Sequence, residues 1–153
     1  MRMRVALAAF FIVGALGGAA AAQEKTQPQP LSGFVRTFTD IRATSAQKEV
    51  GLPEGTWYEG TITISDVEYY KQQGKDPAWV EIKDWNYPGG CTMLLFRTND
   101  VESGLKLHVG DQAVVRAKLA EIGVHLGKYV SNCETHVGLF RETEILTIHK
   151  PTN

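Results

Sequence analysis

The chain has 153 residues, 43% of them apolar, and 16 Lys and Arg against 17 Asp and Glu, a formal charge of −1 that fits one small globular domain. The apolar residues are unevenly spread: residues 1–22 hold 17 of 66, leaving 49 in the other 131, about 37%. Without residues 1–22 the balance is 14 basic to 17 acidic, a charge of −3. That argues against a general nucleic-acid binder, which needs clustered Lys and Arg, and the lack of long like-charge runs argues against a polybasic membrane patch.

Arg2 and Arg4 precede the apolar stretch Val5 to Leu16 and the small-residue tract Ala19 to Ala22. A charged start, a short apolar core and an A-x-A site are the pattern of a secretory signal, expected over residues 1–22 with cleavage before Gln23. An uncleaved N-terminal anchor is the alternative, since Val5 to Ala22 just reaches spanning length. No Cys lies near the junction for lipid attachment, and the two Arg are not adjacent as a twin-arginine signal requires. No transmembrane segment is expected after the signal is removed, and the localisation expected is periplasmic or secreted.

Residues 23–32, QEKTQPQ and on through Pro30, read as a flexible solvated leader. Over residues 33–55, Phe34, Val35, Phe38 and Ile41 fall at roughly helical spacing, though Thr37, Thr39 and Thr44 weaken it. The expectation is a helical or irregular segment with one face packed on the domain, with a partner-binding helix as the alternative.

From Thr56 the period becomes two. Tyr58, Gly60, Ile62 and Ile64 alternate with Trp57, Glu59, Thr61 and Thr63 in a first strand, with Gly60 expected at a bend or bulge. The polar stretch Glu68 to Pro77 reads as a loop. A second strand follows over Ala78 to Trp85, with Val80 and Ile82 inward, then a turn through Asn86, Pro88, Gly89 and Gly90, and a third strand over CTMLLFR, Cys91 to Arg97. Asp100 to Leu107 suits one or two helical turns. A fourth strand is expected over Ala113 to Ile122, a turn between Gly123 and Gly127, a fifth strand over Tyr129 to Val137, and a short sixth over Glu144 to His149. In the sixth, Ile145 and Thr147 should face opposite to Leu146 and Ile148.

Three strands, an interruption near 99–110, the segment KLHVGDQAV at Lys106 to Val114, a basic-alternating strand and SNC at 131–133 together resemble the oligonucleotide/oligosaccharide-binding (OB) barrel. More narrowly, the chain is similar to small exported bacterial OB-fold proteins of the tRNA-anti-codon-like group, over about residues 56 to 140. The resemblance implies an all-β domain over residues 56–150: a five-stranded OB-like Greek-key barrel, with residues 142–149 as an added C-terminal strand.

Cys91 and Cys133 are an even pair in a chain expected to be exported, where disulfides persist. The resemblance makes the third and fifth strands neighbours, which implies that the two can bridge; two unpaired buried thiols are the alternative. There is no Cys-x-x-Cys to suggest redox chemistry.

Signals for catalysis are sparse. His108, His125, His136 and His149 lack metal-site spacing, and no Gly-x-Ser-x-Gly, Walker loop or dinucleotide fingerprint occurs, so no metal or cofactor is expected. Glu59, Asp66, Glu68, Glu81 and Asp84 lie on or beside the first two strands, where a paired-carboxylate hydrolase would need them. The positive signal is aromatic: Tyr69, Tyr70, Trp79, Trp85 and Tyr87 cluster between the first strand and the turn after the second. The resemblance places the OB ligand surface there, and rings on an outer face can stack on bases or sugars. The alternative is that they cover the barrel end or pack on residues 33–48. The function expected is an exported, non-catalytic binding module for protein or glycan. Its candidate surface is Tyr69, Tyr70, Trp79, Trp85 and Tyr87, with Lys83 and Arg97 as polar contacts. A small secreted hydrolase using carboxylates of the first two strands and a structural envelope protein are the alternatives.

Overall fold

The computed structural model describes residues 27–39, 54–85, 91–126 and 134–152. The expected signal, Ile41, Tyr87 and Cys133 lie outside them. In chain order the elements are β1 (Gln29–Pro30), α1 (Leu31–Thr39), β2 (Trp57–Thr63), β3 (Asp66–Tyr70), β4 (Trp79–Asp84), β5 (Thr92–Thr98), α2 (Val101–Gly104), β6 (Gln112–Leu126) and β7 (Glu134–His149). The chain is mostly β, as its period-two stretches dictate, and forms one mixed sheet of order β1-β2-β6-β7-β5-β4-β3. Among the described residues, no helix is long and apolar enough to cross a membrane.

Apart from the two-residue β1, the ends of that order are β2 and β3, which only Ile64 and Ser65 separate. The ladder changes partner at this joint. Ile64 N–H donates to the Asp111 carbonyl at 2.9 Å, and Ser65 N–H donates to the Lys83 carbonyl at 2.8 Å. β2 and β3 are thus two halves of one bent strand, and the sheet curls round on itself. Its inner face holds Tyr58, Ile62, Val80, Ile82, Leu94, Phe96, Val115, Ala117, Leu119 and Phe140, all buried, as alternation along each strand requires.

The leader and helix depart from expectation. The solvated leader was expected to run to residue 32, but Gln29 and Pro30 pair in parallel with Tyr58 and Glu59, and the helix begins at Leu31. Leu31, Phe34 and Phe38 share one face and are buried, with the Phe34 ring 5.1 Å from both Tyr58 and Phe140. Thr37 and Thr39 are accommodated in the helix with their hydroxyls bonded back into it, Thr37 to the Gly33 carbonyl at 3.2 Å and Thr39 to the Val35 carbonyl at 3.0 Å.

Gly60 is not at a bulge. It pairs regularly with Val115, and a Cβ built there would lie 2.6 Å from the Cβ of Leu31. The glycine makes room for the helix. We expect Gly60→Ala to cost about 1–3 kcal/mol, the usual penalty of overpacking. Chemical denaturation measures it, and combining the change with Leu31→Gly, which removes the Cβ that the new methyl would meet, should give a total smaller than the sum of the two single losses.

Four further expectations are corrected. Asp66–Tyr70 was read mostly as loop but is a strand, with Val67 opposite Ile82 and Tyr70 opposite Trp79. Gly123 was assigned to a turn but lies within β6, opposite Val137. The fifth and the added sixth strand are one element, β7, whose register against β6 shifts three times; Glu142, with φ of 51°, sits at the middle shift. The shift at Val114 and Val115 leaves Leu146 as an extra residue, so Ile145 and Ile148 both pack on the core instead of facing opposite ways, and Leu146 is exposed.

Candidate functional site

The outer face of β3, β4, β5 and β7 carries a row of side chains, one from each strand. Tyr70 pairs with Trp79 across β3 and β4, Arg97 lies on β5 opposite Glu81, and the parallel register of Phe96 with Phe140 puts Arg97 and Arg141 side by side. The Tyr70 and Trp79 rings stack with centroids 3.9 Å apart and planes 4° from parallel. The Arg97 guanidinium carbon lies 4.3 Å from the Trp79 ring centre. Since β3 and β5 flank β4, Tyr70 and Arg97 occupy opposite faces of the indole. Such a cation–π contact contributes about 0.5–2 kcal/mol.

Arg97 is also fixed from beneath. Its Nε donates to Glu81 Oε2 at 2.9 Å, and the Glu81 side chain is only 7% exposed. Removing Arg97 would strand that carboxylate in a poorly solvated place, a larger loss than the net worth of the pair.

The row lines a groove of about 560 Å³, to which the turn after β3 contributes Lys71, Gln73, Asp76 and Pro77. Gln73 and Asp76 exchange backbone hydrogen bonds of 3.2 and 2.9 Å across that turn, and Gly74 takes a φ of 59°. Of the charges lining the groove, Arg97 is committed to Glu81, and Glu142 to Lys118 at 3.1 Å. Lys71, Asp76 and Arg141 have no ion-pair partner among the described residues. The groove thus has an aromatic end at Tyr70 and an unneutralised guanidinium at Arg141.

No protein-family model matches the chain, and no curated protein matches it. The site therefore stands on its own geometry.

That geometry brings together Tyr70, Trp79 and Arg97 of the expected surface and separates the rest. Tyr69 is exposed but pairs with the inward Val80, so it leaves on the opposite face of β3 from Tyr70. Lys83 and Trp85 share the parity of Trp79 but lie about 13 and 20 Å farther along the strand direction. Trp85 is half-buried, and its backbone N–H donates to Ser65 Oγ at 2.9 Å. Tyr87 lies outside the described residues. Trp79 has both ring faces covered, so the aromatic face open to a ligand belongs to Tyr70. Lys71, Gln73, Asp76, Asn99 and Arg141 were not foreseen as groove residues.

Lys83 is an internal tie. Its ammonium donates to Glu68 Oε1 at 2.6 Å and Asp66 Oδ2 at 3.1 Å. Partial burial works against its charge, but those two hydrogen bonds outweigh it and raise its pKa above the usual lysine value. The hydrogen bonds from Lys83 and then from Tyr70, whose hydroxyl donates at 2.6 Å, hold the Glu68 carboxyl below the ordinary range. The same bond to Glu68 pushes the Tyr70 phenol up.

The carboxylates considered for hydrolysis are all engaged. Glu68 and Glu81 face each other in register, but Lys83 neutralises one and Arg97 the other. Glu59 pairs with Arg116 at 2.8 Å, and buried Asp84 accepts the Thr63 N–H at 3.0 Å. A general acid requires a raised pKa, whereas Glu68 is shifted the other way. Among the described residues no group of three or more His, Cys, Asp or Glu is placed to hold a metal ion. His136 is buried with its ring 5.4 Å from Phe38. His108 stands over a tie between the C-terminal tail and the turn before β6, where Lys150 Nζ donates to buried Asp111 Oδ2 at 2.6 Å and lies 3.1 Å from His108 Nδ1. The bond from Lys150 holds the Asp111 carboxyl below its usual range.

Proposed function

We propose that the chain is an exported, non-catalytic binding module of the OB type, whose outer-face groove takes a protein or glycan ligand. The observation that carries this reading is the row Tyr70, Trp79, Arg97 and Arg141, an aromatic stack continued by guanidinium groups along one groove. The strand order supports the OB assignment. With β2 and β3 counted as one bent strand, the five strands pair first with second, second with third, third with fifth, fifth with fourth and fourth with first. The short helix α2 lies between the third and fourth. Residues 1–22 would direct export to the periplasm or beyond.

Cys91 and Cys133 form a structural disulfide in this reading. Thr92 is in register with His136, and the Cys91 carbonyl accepts the His136 N–H at 2.8 Å, so Cys91 lies beside the start of β7, one residue after Cys133.

Glycan and peptide arrays probed with the wild type and with Tyr70→Ala test the groove. Expected are a restricted set of bound features and their loss in the variant, with near-ultraviolet circular dichroism confirming that the variant folds. Identical binding patterns for the two proteins would remove the groove from the function.

A further inference from the structure

We infer that the groove's ligand is an acidic glycan, an extended oligosaccharide with one sugar ring against the open face of Tyr70 and a carboxylate held by Arg97 and Arg141. This rests on the reading of the groove as the binding surface and adds the chemistry of what it selects.

The first ground is charge. Arg97 and Arg141 line one groove, and among the described residues Glu81 is the only anion bonded to either. Glu81 accepts from the Nε of Arg97, the terminal amino groups of Arg97 have no hydrogen-bond partner among the described residues, and Arg141 has no ion-pair partner among them. Arginine forks match a carboxylate with two parallel hydrogen bonds, and Lys71 adds a third cation on the same lining.

The second is length and polarity. From Tyr70 to Arg141 the row crosses three strand spacings, about 14 Å, so a ligand reaching both ends is an extended chain. Tyr70 is 36% exposed, and among the described residues no strand pairs with the other edge of β3. An aromatic face of this kind takes the apolar face of a sugar.

The third disfavours a peptide. β4, β5 and the first half of β7 are paired along both edges, so across most of the groove floor a peptide finds no main-chain ladder to extend and meets side chains only.

Calorimetry at low salt on the chain from Gln23 onward, with four probes, decides the matter: tetragalacturonate, its methyl ester, tetraglutamate and an oligothymidylate of equal charge. Tetragalacturonate should bind best. The ester, and Arg141→Gln with the acid, should each bind about 10-fold more weakly, as loss of a charged hydrogen-bonded contact implies, and Tyr70→Leu should weaken acid and ester alike. Arg141 is exposed, so its variant keeps the wild-type fold, which near-ultraviolet circular dichroism checks. Equal affinity for acid and ester, lowered by Tyr70→Leu, would overturn the acidic-glycan inference and leave the groove reading standing. Preference for tetraglutamate or the oligothymidylate would do the same. Binding of tetragalacturonate unchanged in both variants would overturn both, and binding of no probe at all would overturn the acidic-glycan inference.

Discussion

Phe140→Ala should remove about 3–5 kcal/mol of folding stability, the range for deleting a large buried aromatic, from a domain whose total is of order 5–15 kcal/mol. Phe140 is fully buried and is the point where three parts of the fold meet. It stacks on Phe96 of β5 at 4.8 Å and meets Phe34 of α1 edge-on at 5.1 Å and Tyr58 of β2 at 6.1 Å. A cavity at that point has sheet on two sides and helix on the third, and the sheet cannot collapse without breaking its ladders. The relief available is movement of α1. Urea denaturation should show a lowered midpoint, and hydrogen exchange should show α1 losing protection before β6 and β7. Phe140→Leu, which keeps most of the volume, should lose less than half as much. A loss below about 1 kcal/mol for the alanine variant would mean that α1 is not held by this cluster.

The residues that announced the sheet did so by alternation, and they are those with one face in the core. Tyr58, Ile62 and Ile64 defined β2, and Val80 and Ile82 defined β4, because burial of every second residue leaves a period in the sequence. β3 carries no such mark. Along Asp66–Tyr70 only Val67 packs on the core, while Asp66 and Glu68 are bound to Lys83, so a strand defined by pairing and ion pairs reads as a polar loop. β7 was divided for a related reason. Its register shifts break the alternation between Phe140 and Ile145, and a broken period in one long strand looks like two short ones. Gly60 was a correct signal with the wrong cause, since a glycine opened for a helix and one opened for a bulge are identical in sequence.

The site was legible where it depended on parity and hidden where it depended on register. Trp79 on the outer face followed from Val80 and Ile82 facing in, and Tyr70 and Arg97 share that face. Lys83 and Trp85 have the same parity but lie too far along the strand, a distance parity does not report. Arg141 entered the groove only through the parallel pairing of β5 with β7, between residues more than 40 positions apart.

Cys91→Ser should cost about 4 kcal/mol, the loop-closure entropy for the 42 positions from 91 to 133. The expectation follows from the proposed bridge and from size: a domain of about 130 residues has a high ratio of surface to volume and gains much from one covalent constraint. The β5–β7 pairing, which begins next to Cys91, is parallel and long-range, so its closure entropy is among the largest the fold must overcome. A bridge there lowers the entropy of the unfolded chain and leaves the native contacts unchanged, so the variant should keep the wild-type near-ultraviolet spectrum while its denaturation midpoint falls. Reductant should lower the wild-type midpoint to the same value and leave that of Cys91→Ser where it is. Thiol labelling of the protein unfolded without reductant should find no reactive cysteine, and two after reduction. Two reactive thiols before reduction would abolish the bridge.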